Sequence, residues 1–178
     1  MKGRDKGMKK VLVVVDMQKD FIDGALGTKE AEAIVDKVAK VIRTFDGDVV
    51  FTRDTHFDNY LETQEGRNLP VPHCIKDTDG WQIDKKLTSL RPDSEQVFDK
   101  TTFGSTQLAA YLETHKDLER ITLVGLCTDI CVISNALLLK ATMPEVEIEV
   151  VEACCAGVTP QSHNNALEAM KMCQIKVV

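Results

Sequence analysis

No apolar run in this sequence approaches the roughly 20 residues a helix needs to cross a bilayer. Val11 to Val15 is too short for that role and ends at Asp16. The basic stretch Met1 to Lys10 lacks a following apolar core with a small-residue cleavage site, so no secretion signal is read and a cytoplasmic protein is expected. Positive charge is not in excess. Lys and Arg number 22 against 28 Asp and Glu, for a net charge of −6, which argues against nucleic acid or an anionic membrane surface as the main partner. Of the six cysteines, Cys127 and Cys131 lie four apart and form no CxxC pair, so a zinc site built from cysteines is weakly supported. Without a secretion signal the cysteines are expected to stay reduced. Repeats, low-complexity tracts and linkers are also missing. One domain over 1–178 is expected, with 1–9 as a flexible N-terminal extension.

The chain does have enough length for a substantial core, at 178 residues with 43% hydrophobic. Lys10 to Val15 is a continuous β-branched run closed by Asp16, the pattern of a strand buried on both faces of a parallel sheet. Thr28 caps a helix with Ala31, Ile34, Val35, Val38, Val41 and Ile42 at helical spacing, stopped by Asp46-Gly47. Further strands are expected over 48–54, 96–100, 118–126, 147–151 and 175–178. Helices are expected from Ser105 through Leu112, over 129–141, and over 160–172 with Pro160 in the first turn. The segment 55–91 carries Pro70, Pro72, Gly66, Gly80, two histidines and the only Trp, and reads as irregular. Strands alternating with helices imply right-handed crossovers. The fold class is therefore a Rossmann-like three-layer α/β/α sandwich, with a mainly parallel sheet of roughly six strands.

In open α/β sheets, ligands bind beyond the carboxyl ends of the strands. Asp16, Asp54, Lys100 and the turn from Cys127 to Cys131 all fall there. Each has a plainer reading: a turn or cap Asp, a solvated Lys, a small buried Cys. Their joint placement on one rim favours chemistry. A cysteine near the positive end of a helix favours a thiolate, and the thiol needs a base to become one. Asp16 can accept its proton, and Lys100 can hold the Asp and stabilise anionic charge. Backbone amides at a tight turn into a helix can receive an oxyanion. Asp54 and His56, two apart at a strand end, with His73 later, suit zinc, iron or manganese, although surface loop histidines would give the same spacing.

Together, these stretches are similar to the isochorismatase-like cysteine hydrolases, and within them to the nicotinamidases. The resemblance rests on Val14-Val-Asp16-Met-Gln-Lys-Asp-Phe21, Arg53-Asp-Thr-His56, Pro72-His-Cys74, Lys100 before Phe103, Gly125-Leu-Cys-Thr-Asp-Ile-Cys131, and a tail with Glu152-Ala-Cys and His163. It implies Cys131 as nucleophile, Asp16 as general base and acid, and Lys100 as third member of a triad. The amides of Cys127 and Cys131 would form the oxyanion hole, with a cis peptide at Leu126–Cys127. It also implies a divalent metal, zinc first and iron or manganese as alternatives, on Asp54, His56 and His73, with Glu65 as a fourth ligand and Glu62 as second choice. The metal would hold the pyridine nitrogen of a small amide substrate. Phe21 and Phe103 would line the pocket, and Trp81 is considered as a further wall beside a core or lid role. Lys19, Pro70 and Asp77 depart from the pattern, which often has Asn, an aromatic and Gly there. The expected activity is hydrolysis of nicotinamide to nicotinate and ammonia by a homo-oligomer. Hydrolysis of another small amide or an isochorismate-like vinyl ether is the second reading, and a non-catalytic metal-binding domain the third.

Overall fold

A computed structural model describes residues 9–90 and 96–178. Residues 1–8, most of the expected N-terminal extension, lie outside it. Lys9 is tied down, since its carbonyl accepts from the amides of Glu119 and Arg120 at 2.8 and 3.2 Å.

The elements run in chain order β1 (Lys10–Val15), α1 (Lys19–Ile22), α2 (Lys29–Thr44), β2 (Asp48–Asp54), α3 (Gln64–Asn68), α4 (Lys85–Thr88), β3 (Val97–Lys100), α5 (Thr106–Glu113), β4 (Arg120–Leu126), α6 (Ile133–Thr142), β5 (Glu147–Ala156), α7 (Pro160–Met172) and β6 (Lys176–Val177). The six strands lie in the order β3-β2-β1-β4-β5-β6 and every pairing is parallel. The chain winds outward one way from β1 to β3 and then the other way from β4 to β6. A cleft opens where the direction reverses, between β1 and β4.

Alternation along β1 divides the core into two layers. Val11, Val13 and Val15 pack with Leu108, Leu112, Ala136, Leu139, Leu167 and Met170 from α5, α6 and α7. Leu12 and Val14 face the other way onto Ile34, Val38 and Ile42 of α2 and Leu87 of α4. The run is apolar on both sides because helices cover both faces. The expected caps are present: Thr28 Oγ1 accepts from the amide of Ala31 at 3.0 Å, and Ser105 Oγ from that of Leu108 at 3.1 Å.

Two expectations change. The segment after β2 is not structureless: it holds a 3₁₀ turn at Tyr60–Glu62 as well as α3 and α4. Elements of three to five residues are too short to show a period. β5 runs to Ala156 rather than 151, past the β-branched residues, because Cys155 and Ala156 pair with Gly125 and Leu126 of β4 after a break in register. Tertiary pairing there overrides weak strand propensity.

Candidate active site

Asp16 ends β1, Asp54 ends β2 and Lys100 ends β3, while β4 runs into the turn that carries Cys131. These four strands are neighbours in the sheet, so all four side chains meet on one rim. Asp16 takes a left-handed backbone conformation, φ 46°, as it leaves the strand. The Thr52 hydroxyl donates to Asp16 Oδ1 at 2.6 Å, which orients the carboxylate. Lys100 Nζ lies 2.6 Å from Asp16 Oδ2 and 3.2 Å from Asp54 Oδ1, and donates to Cys131 Sγ at 3.4 Å and to the Thr102 carbonyl at 3.1 Å. All four of Asp16, Asp54, Lys100 and Cys131 are buried.

Burial sets the charges. It disfavours the ammonium of Lys100, but Asp16, Cys131 and Asp54 together outweigh it and hold the lysine protonated well above its ordinary range. Burial also raises Asp16, with Lys100 partly offsetting it. For Cys131, burial and then the neighbouring Asp16 carboxylate push the thiol well up. The local preference of a helix start for a thiolate is thus outweighed. The macrodipole stabilisation at a helix start is of order 1 kcal/mol, too little against full desolvation beside a carboxylate. At rest the Cys131 side chain is a thiol, and its proton leaves only when a base takes it.

The turn itself is a π-helical stretch, Thr128–Val132, rather than the plain helix start expected at 129. The peptide Leu126–Cys127 is cis, as the resemblance implied. The Cys127 carbonyl accepts from the amides of Ile130 and Val132 at 3.1 and 3.0 Å, so the amides flanking that of Cys131 are committed to the backbone. Such single-turn π segments cluster at functional sites.

Beside this group, Asp54, His56, Glu65 and His73 bring one donor atom each to within 4.8 Å of one another. His56 Nε2 is 2.9 Å from Asp54 Oδ2 and 3.5 Å from Glu65 Oε1. It is buried yet makes no aligned hydrogen bond. His73 Nδ1 lies 2.8 Å from the Val71 carbonyl. A carbonyl only accepts, so the proton sits on Nδ1 and Nε2 is left as an electron-pair donor. Two carboxylates and two imidazoles thus converge within 4.8 Å of one another, which is the donor chemistry of a divalent cation site. Glu65, the first choice, joins the set, and Glu62 is exposed on its 3₁₀ turn. Asp54 faces both ways, with Oδ1 toward Lys100 and Oδ2 toward His56.

A cavity of about 380 Å³ opens over both groups. Asp54, Glu65 and His73 line one part and Cys127 and Cys131 another, with Phe21, Leu26, Leu69, Phe103 and Ile130 as apolar wall. Both expected phenylalanines are there. Trp81 is not; it is buried in the core, its indole N–H donating to Thr55 Oγ1 at 2.9 Å and the Arg53 guanidinium stacked 3.4 Å from its ring centroid. Leu69, beside Pro70, provides wall where an aromatic was missed. The other cysteines stay apart from the chemistry: Cys74, Cys154 and Cys155 are buried and Cys173 is exposed.

Sequence reasoning missed the residues that hold the site together. The Gln18 amide group donates to the carbonyls of Asp54 and Trp81 at 2.8 and 2.9 Å and accepts from the Asp54 amide at 2.7 Å. Asp20 Oδ2 accepts from the Cys74 amide at 2.7 Å, which fixes the His73 loop. Asn135 donates to the carbonyls of Cys131 and Phe103 at 2.8 and 3.1 Å and accepts from the Ser105 amide at 2.9 Å. Gln18 and Asp20 stood inside a quoted stretch. Nothing in Asn135's surroundings signalled its role.

The isochorismatase domain family matches residues 10–178. An uncharacterized isochorismatase family protein, PncA, from Bacillus subtilis is 33% identical over 144 residues, covering 73% of this chain and 78% of its own. The nicotinamidase of Saccharomyces cerevisiae is 27% identical over 174 residues, covering 72% of this chain and 80% of its own. Among solved structures, the pyrazinamidase of Pyrococcus horikoshii in complex with zinc superposes with a TM-score of 0.82 at 30% identity, over 96% of this chain and 98% of the other.

Proposed function

The chain belongs to the isochorismatase domain family, and from that premise we propose that it is a nicotinamidase, a cysteine amidohydrolase that converts nicotinamide to nicotinate and ammonia. The observation that carries the reading is Lys100. Its ammonium lies at once against Asp16, Asp54 and Cys131, at 2.6, 3.2 and 3.4 Å. A base, a nucleophile and a cation in mutual contact at the edge of a cavity are suited to acyl transfer.

Asp16 takes the proton of the Cys131 thiol, and Lys100 stays charged throughout. The thiolate attacks the amide carbonyl. The oxygen that becomes negative is received by the backbone amides of Cys127 and Cys131. Asp16 returns the proton to the departing nitrogen, which leaves as ammonia. It then removes a proton from the water that hydrolyses the thioester. Raising Asp16 by burial suits a group that must both accept and return a proton. Asp54, His56, Glu65 and His73 would hold a divalent ion, zinc by the ligand set and by the zinc complex of the Pyrococcus relative. Bound there, the ion supplies a Lewis-acidic site for the ring nitrogen of the substrate. Phe21, Leu69 and Phe103 pack the ring and exclude water.

The reading places this activity in one domain of a cytoplasmic homo-oligomer. Six unpaired cysteines suit a reducing compartment, and exposed Phe57 and Leu61 beside the metal loop suit a subunit contact; light scattering of the purified chain decides the second point. No helix among the described residues is long and apolar enough to cross a membrane. The central test is Cys131→Ala. Ammonia release from nicotinamide should vanish, and full activity in that variant would sink the mechanism.

A further inference from the structure

The π-helical turn that carries Cys127 and Cys131 has no side-chain cap of its own. It is gripped from behind, on the side away from the cavity, by the segment leading into α7. Thr128 Oγ1 and His163 Nδ1 share a hydrogen bond of 2.7 Å, and Thr128 is 0% exposed. Both oxygens of Asp129 accept from the Val158 amide at 3.2 Å. A Cβ on Gly157 would stand 2.9 Å from the Cβ and the amide nitrogen of His163, so the histidine packs directly on that backbone. His163 itself lies on α7, whose first turn is held by a complete capping box at Thr159 and Ser162. A rigid helix start therefore presents one ring nitrogen to the residue between the two amides that would receive the oxyanion.

We propose that His163 is a positioning residue for the reaction: through Thr128 it fixes the amides of Cys127 and Cys131 against the developing negative charge. The proposal rests on Cys131 being the nucleophile. His163 touches neither substrate nor sulfur in this role. Its effect is confined to the tetrahedral state, because a substrate or product with a planar carboxamide or carboxylate places no full charge on the turn. Displacing a preorganised donor by about 1 Å costs on the order of 100-fold in rate.

The test uses the zinc-loaded full chain on nicotinamide, with nicotinaldehyde and nicotinate as inhibitors. The aldehyde reports on the tetrahedral state. The Cys131 sulfur bonds to its carbonyl carbon, the C=O π bond opens onto oxygen, and the thiol proton passes to Asp16, giving a thiohemiacetal anion on the turn with nothing released. His163→Ala should lower kcat by about 10- to 100-fold, with KM, zinc content and nicotinate inhibition unchanged. Nicotinaldehyde inhibition should weaken by the same factor as kcat/KM. His163→Asn, whose side-chain amide reaches the Nδ1 position, should restore most of the rate. His163→Gln, which reaches the Nε2 position, should not. Thr128→Val removes the hydroxyl without changing shape and should reproduce the His163→Ala effect, and it replaces that variant if the latter fails to fold. An unchanged kcat in either variant overturns the proposal, as does a parallel loss of aldehyde and nicotinate affinity. A wild-type chain inactive on nicotinamide would remove the nucleophile reading and this inference with it, whereas an active wild type with indifferent variants removes this inference alone.

Discussion

His56 shows what a single side chain does here. Burial alone would lower its pKa, but the Asp54 and Glu65 carboxylates beside it raise it to about 9. Those are the same groups that would share the metal with it. The imidazole must be neutral to coordinate, so the ion competes with a proton that the carboxylates favour. The sign follows directly. Below about pH 9 the metal-free site carries that proton, and each unit of falling pH should weaken zinc binding by about tenfold. Competition titrations with a zinc indicator between pH 6 and 8 check this. A flat profile would mean that no proton is displaced. The same side chain explains why Asp54 is lowered although it is buried: the neighbouring His56 and the charge of Lys100 outweigh desolvation. Asp54 is thus the one carboxylate that touches both His56 and Lys100.

At the scale of elements, the site depends on how closely β1 and β4 approach at their carboxyl ends. Gly125 pairs with Val15, has φ +120°, and has no room for a side chain: a Cβ there would lie 2.1 Å from the Val15 carbonyl oxygen. Both the conformation and the contact require glycine. Gly125→Ala should therefore destabilise the fold by more than about 2 kcal/mol, from left-handed strain plus overpacking. It should also reduce activity, because the strand would have to shift where Asp16 and the Cys127 turn face each other. Urea unfolding and ammonia release measure the two effects, and native stability in the variant would show that the strands can part freely. The π-helical turn belongs to the same scale. It is bounded by β4 before it and α6 after it, with Asn135 tying it to the loop after β3. Its geometry is thus set by three elements at once.

For the whole molecule, the metal set matters because its donors come from separate parts of the chain. Asp54 ends β2 and His56 follows it, Glu65 lies on α3, and His73 lies in the loop beyond it. An ion that binds only when these are assembled stabilises the fold by mass action. Zinc at a hundredfold above its dissociation constant should contribute about 2.7 kcal/mol, or about 5–10 °C in Tm for a domain of this size. Thermal melts with and without a chelator test that, and they separate metal from chemistry when run on Cys131→Ala. An unchanged Tm after thorough metal removal would show that the four donors hold no ion.

The sequence by itself determined the strands and their polar ends. β1 and β2 are apolar runs closed by a carboxylate, β3 is a short run ending at Lys100, and β4 is an apolar run leading into the turn that carries Cys131, so the candidate residues sit at or just beyond those ends. Asp16, Lys100 and Cys131 were readable for that reason, and so was Asp54-Thr-His56. Three things were decided only by tertiary structure. One was the protonation of Cys131: a helix start favours a thiolate locally, but desolvation beside Asp16 reverses it, and burial is a property of the folded whole. Another was the shape of the segment after β2, whose short elements form against their neighbours rather than by periodicity. The last was the set of clamps, Gln18, Asp20, Asn135 and His163. Their partners lie 4 to 63 residues away along the chain. A hydrogen bond across that distance leaves no trace in local sequence, because only the folded sheet brings its two ends together.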